Sequence, residues 1–162
     1  MSIQTLWFMG LRPRDEAMDA EMARMNICRD KPAAERVARQ FGLAIEEIDA
    51  GLVWLIRKTV KSLTFCARLD LAQYDVAPPS LSFCNSDNPS ERGRNWWPKT
   101  TNPQSNVITS STGITGNCVV GFAEYYVYHA TATKKRNDWR LPVLIRYIGQ
   151  LLEEDFVKGK GV

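Results

Sequence analysis

AIEEIDAGLVWLIRKTVKSLTFCARLDLAQY, residues 44–74, is the stretch whose reading decides the fold. Its apolar side chains Ile45, Ile48, Leu52, Leu55, Ile56, Val60 and Leu63 recur mostly at intervals of three and four. Side chains so spaced share one face of an α-helix. The spacing predicts a helix from near Ala44 to as far as Tyr74. Pro78 and Pro79 would stop it there, because proline has no amide hydrogen and clashes with the preceding turn.

Upstream, Asp30-Lys31-Pro32 reads as a helix start, and Ala33–Phe41 as a short helix ended by Gly42. Asp15–Met25 is a further predicted helix, whose Met18, Met22 and Met25 are expected to fill the core. Met1–Gly10 reads as a buried anchor before a turn at Arg12-Pro13-Arg14. Downstream, residues 75–117 lose all periodicity and carry Pro78, Pro79, Pro89, Pro98 and Pro103, which predicts a long irregular loop with room for a small hairpin. Short strands at Ser80–Cys84 and Asn106–Ser110 are the elements most easily missed in it. Val119–Ala132 fits a helix better than a strand, and Leu141–Phe156 reads as a closing helix with Pro142 in its first turn and a frayed tail after it. The sum is a mainly α single domain, 1–162: a helical part at 1–74, a loop at 75–117 and a C-terminal helical part at 118–162.

Composition is that of a chain that buries a core: 162 residues, 44% hydrophobic and 24% charged, with five tryptophans. The net charge of +3 is too small to imply a general attraction to nucleic acid. Between residues 88 and 146, however, eight basic residues face three acidic ones, a local excess of +5. Cys28, Cys66, Cys84 and Cys118 contain no close pair of the kind zinc sites use, so no metal and no cofactor is expected. No leader and no membrane span is evident, and a cytoplasmic setting with reduced thiols is expected.

Residues 37–52, VARQFGLAIEEIDAGL, place a small residue (Ala38), a turn glycine (Gly42) and three locking apolar residues (Leu43, Ile48, Leu52) in order. Over residues 33–53 this resembles the helix-turn-helix motif of bacterial and phage regulators. The resemblance implies a helical pair whose second helix enters the major groove of DNA. The face it would present carries Glu46, Glu47 and Asp49, which phosphate repels, so packing or protein contact is the preferred use of the unit.

A second feature interleaves rings with cations: Arg92, Arg94, Trp96, Trp97 and Lys99, joined by Lys134, Lys135 and Arg136. Bases stack on such rings while cations hold phosphates, and Trp and Arg also dominate protein interfaces. The plain alternative is that the tryptophans pin the loop to the core. The lone histidine, His129, limits catalysis. Cys118 precedes it by 11 residues, which on one helix separates them by about three turns. A Cys–His hydrolase would have to pair His129 with Cys28, Cys66, Cys84 or Cys118, and Cys84 with His129 stays geometrically possible. Thr112–Asn117 lacks the ending of a phosphate loop and reads as a turn with Asn117 capping a helix. Glu153, Glu154 and Asp155 read as a solvated face. The expectation is therefore no enzyme, but a small phage or mobile-element regulator or inhibitor. It would bind another protein or a protein–nucleic-acid complex through the eight residues just named, the alternative being a DNA- or RNA-binding module.

Overall fold

Residues 44–74 do not run on as a helix; they reverse twice. The computed structural model describes residues 13–100, 108–110, 117–129 and 131–161, with side chains from 19–100, 118–129 and 131–161. Lys61 and Ser62 both take left-handed backbone (φ +49° and +66°) between Val60 and Leu63, which face each other across an antiparallel ladder. Two left-handed residues give the turn a twist matching that of its flanking strands. Asp49, Ala50 and Gly51 make the earlier reversal, again with positive φ. The stretch is therefore three strands, β1 (Ala44–Ile48), β2 (Val53–Val60) and β3 (Leu63–Asp70).

These three pair in sequence order and antiparallel with β4 (Ser80–Cys84), giving a four-stranded meander with β1 and β4 at its edges. The mainly α expectation is thus overturned: the chain combines helices with sheets. The helical spacing failed because Val53, Trp54, Leu55 and Ile56 are consecutively buried, which erases the alternation of a half-exposed strand. The helical pair expected at 33–74 is accordingly a helix followed by strands.

One helix, α1 (Pro13–Phe41), replaces the two expected before the sheet and runs through Pro32. Ala23, Ile27, Ala34, Val37 and Ala38 form its buried stripe. Met22 and Met25 stand 51% and 63% exposed, so these two of the methionines expected in the core lie outside it, while the Met18 side chain lies outside the described residues. At the other end of the helix Gly42, with φ +67°, releases the chain into the sheet.

The expected long loop holds several short regular elements among its described residues. Beyond β4 it holds a 3-10 turn at Arg94–Trp96, β5 (Pro98–Thr100) and β6 (Ile108–Ser110). β6 pairs with β7 (Asn117–Val119), so Asn117 sits in a strand and does not cap a helix. Residues 119–132 are divided: β7 ends at Val119, and α2 (Ala123–Tyr128) follows a turn. After a 3-10 turn at Arg136–Trp139, α3 (Leu141–Leu151) starts at the expected residue but stops earlier than Phe156. The tail expected to fray forms β8 (Val157–Lys160), paired with β5. Met1–Gly10 and residues 112–116 lie outside the described residues.

One core joins these layers. Trp54, Ile56, Phe65, Leu69 and Phe83 from one face of the sheet meet Leu141, Leu144, Ile145 and Ile148 of α3 and the buried stripe of α1. The helices touch where Gly149 meets Phe41: a Cβ at Gly149 would lie 2.3 Å from that ring. On the opposite sheet face, Val53, Leu55, Cys66 and Cys84 form a smaller cluster of their own, flanked by Ile48.

Candidate functional site

The described residues contain one close contact between a sulfur nucleophile and an imidazole: Cys118 Sγ lies 3.6 Å from His129 Nε2. The sequence reading set these residues three helical turns apart. The structure corrects it, because they do not share a helix. Cys118 is buried in β7, and the chain then turns at Gly121, whose φ is +89°. Only glycine fits there, since a Cβ would sit 2.4 Å from the Asp138 carbonyl oxygen and 2.9 Å from Leu144. The turn folds α2 back alongside β7, and His129 follows α2 directly. The glycine was the sequence signal that two elements, not one, separate the pair.

Several contacts hold α2 in this place. Glu124 accepts hydrogen bonds from the Leu81 amide at 3.1 and 3.2 Å and from the Ser80 hydroxyl. Ala123 N–H donates to the Pro79 carbonyl at 2.9 Å. A six-residue helix with no side-chain cap is therefore fastened by its first turn to the edge strand β4. His129 is fixed by its amide, which donates to Tyr125 O at 2.9 Å, and by its ring, which stacks on Tyr125 at 4.6 Å. Tyr126 points inward, edge-on to Trp139 at 5.9 Å.

The contact has a definite chemical capacity. An imidazole nitrogen beside a thiol can take its proton, and the thiolate is the nucleophilic form of cysteine. The other pairing considered, Cys84 with His129, is not brought together. Cys84 instead faces Cys66 across β3 and β4.

The eight residues expected to bind fall into two groups at opposite ends of β4. Arg92 bridges to Cys84, and Arg94 opens the following 3-10 turn; both are exposed. Trp97 is 6% exposed, with its ring 4.7 Å from Phe83. Trp96 is half-buried beneath Lys160, whose ammonium lies 5.4 Å from its ring, and Lys99 is exposed on β5. The second group sits near α2. Lys134 lies 5.9 Å from the Tyr126 ring, Lys135 is exposed, and Arg136 reaches Asp75 at 3.0 Å. The Asp75 side chain is fully buried and also binds Arg29 at 3.1 Å. Arg136 thus closes a clasp between the β3–β4 connection and the start of α3.

Among the described residues, no three His, Cys, Asp or Glu side chains converge as a metal site would require. No helix among them is long and apolar enough to cross a membrane. No protein family, no curated protein and no solved structure compared with this chain is similar enough to match it.

Proposed function

We propose that this protein is a thiol-dependent acyl-transfer enzyme in which Cys118 is the nucleophile and His129 its base. The observation that carries this reading is the 3.6 Å contact between the two. His129 takes the thiol proton, and the Cys118 sulfur attacks the carbonyl carbon of an activated acyl donor. The donor's leaving group departs with that proton, and a thioester remains on Cys118. A nucleophile or water then releases the acyl group. A base so placed contributes about 10²–10⁴-fold to rate.

Intact-mass measurement after exposure to an aryl ester tests this. The expected result is one acyl adduct, mapped to Cys118, forming at least tenfold more slowly in His129→Ala and absent in Cys118→Ser. If Cys118 is modified only after unfolding while exposed Cys28 takes the label in the native protein, the pair merely packs and the proposal fails.

A second reading, a non-enzymatic protein that binds another protein or a protein–nucleic-acid complex, draws on a different observation. Met22, Met25 and Val76 are exposed large apolar side chains, Val76 at 76%, and Met22 and Val76 line one cleft of about 200 Å³. Methionines adapt well to a partner's surface. On this reading Met22→Lys abolishes co-purification of a partner from the native host. A gel-shift series across salt concentrations then separates a nucleic-acid partner from a protein one.

A further inference from the structure

Cys66 and Cys84 are direct cross-strand partners in the β3–β4 ladder, both buried, at 0% and 2% exposure. Opposed residues in an antiparallel pair have Cα atoms about 4.5–5.5 Å apart, within the range of about 4.4–6.8 Å that a disulfide spans. The Cys84 thiol donates to the Cys66 carbonyl oxygen at 3.5 Å, which places its sulfur over the partner residue. Neither is in a disulfide.

The surroundings hold three arginines and the carboxylate of Glu46, which is ion-paired with Arg57. Arg57 of β2 and Arg68 of β3 lie on the same sheet face as the two cysteines. Both reach the segment that follows β4: Arg57 to Ser86 Oγ at 2.9 Å and Ser86 O at 3.1 Å, Arg68 to Pro89 O at 3.3 Å. Arg92 completes the set, its backbone paired with that of Cys84 in an isolated β-bridge. The side-chain interaction with Cys66, followed by Arg68, Arg57 and Arg92, holds the Cys84 thiol below its ordinary range against the opposing effect of burial. That same interaction and burial push the Cys66 thiol up. Cys84, on the edge strand and paired with Arg92, is the sulfur placed to attack, and Cys66, one strand further in, the one placed to resolve.

We propose that Cys66 and Cys84 are a peroxide-oxidised dithiol, closing to a disulfide that staples β3 to the edge strand β4. The Cys84 thiolate attacks one oxygen of hydrogen peroxide, the O–O bond breaks, and the hydroxide released takes a proton to become water. The Cys84 sulfenic acid is then attacked by Cys66 sulfur; the S–S bond forms and the S–O bond breaks. The thiol proton leaves with the departing hydroxide as a second water. Two electrons pass from the two sulfurs to peroxide, and the balance is two thiols and one peroxide to one disulfide and two waters. Peroxide is close to water in size, which suits a pair covered by side chains and a loop. The closed link ties together residues 18 apart in sequence, the span that contains Tyr74 and Asp75.

Full-length protein treated with stoichiometric hydrogen peroxide, then alkylated and digested without reductant, tests this independently of Cys118. The expected product is a Cys66–Cys84 linked peptide, two hydrogens lighter than the dithiol and restored by dithiothreitol. Closing a loop of this length is expected to raise Tm by roughly 5–10 °C, and Cys84→Ala to abolish the rise. Recovery of both residues as alkylated thiols while Cys28 is oxidised overturns the proposal. So does Cys84 driven to sulfinic acid with no link. Both outcomes are read on the wild-type chain, so a variant that folds poorly leaves the test intact.

Discussion

Removing one oxygen atom, in Tyr74→Phe, tests how the helices are tied to the sheet. Tyr74 is 1% exposed, and its hydroxyl donates to Asp30 Oδ2 at 2.7 Å while accepting from the Leu141 amide at 2.8 Å. It therefore joins α1 to the first residue of α3, a helix with no side-chain cap of its own. Asp30 keeps Arg29, which donates to its two oxygens at 3.0 and 2.8 Å, so the carboxylate is not stranded. The Leu141 amide loses its partner inside the core. A hydrogen bond to a charged group contributes about 1.5–3 kcal/mol, and a buried amide without a partner costs about 1–3 kcal/mol. A total loss of about 3 kcal/mol is expected, or a Tm lower by roughly 6–12 °C for a chain of this size. Urea unfolding of Tyr74→Phe, Asp30→Asn and the double variant measures it, with a coupling of about 1 kcal/mol or more expected. The alkaline limb gives a second readout. Burial, then the hydrogen bond to Asp30, raises the Tyr74 pKa above its ordinary 10.0, so this contribution is complete below pH 10 and lost as pH rises through and beyond it. Tyr126, pushed up to about 12 mainly by burial, adds to the same limb and remains in the variant. A loss under 1 kcal/mol with no coupling to Asp30 and an unchanged alkaline limb would refute the argument.

Gly149→Ala is expected to lower stability by about 2 kcal/mol despite alanine's better helix propensity, because its Cβ meets the Phe41 ring; chemical denaturation shows it. Trp97→Ala should lose about 3–5 kcal/mol of folding stability, as a core tryptophan does, and Trp96→Ala clearly less, both read from thermal melts. Ser62→Gly should gain about 0.5–1 kcal/mol, since this position already holds left-handed backbone and Lys61 keeps its hydrogen bond to the Val157 carbonyl; equal or lower stability by urea titration would count against the turn assignment.

The sequence showed some elements and concealed others for identifiable reasons. The start of α3 was legible because Leu144, Ile145, Ile148 and Leu151 repeat on one face and all are buried. β2 and β3 were not, because residues buried on both faces leave no alternation and mimic helical spacing by chance. Their turn was equally silent: Lys61-Ser62 lacks the Asn-Gly chemistry that announces such a hairpin. β4 was named only as an element easily missed, and it spans the very residues Ser80–Cys84. The Cys118–His129 contact is hidden when residues 119–132 are read as one element, although Gly121 lies near the start of the run. Trp97 reads alike in a sequence whether it packs a core or forms an interface, and only its ring against Phe83 distinguishes the two.

Among the described residues, the sheet also has a side that nothing pairs. β1 hydrogen-bonds only to β2, leaving its outer backbone as a template on which another strand could grow. Its five residues, AIEEI, answer this themselves. Were two copies to zip β1 against β1 antiparallel and centred, Glu46 would lie opposite Glu46, and Glu47 opposite Ile45. Like carboxylates directly opposed are repulsive. In each copy Arg57 binds Glu46, and Lys31 binds Glu47 at 2.7 Å, so an incoming strand meets long ion-paired side chains rather than a flat apolar row. Fibre growth from this edge is thereby opposed.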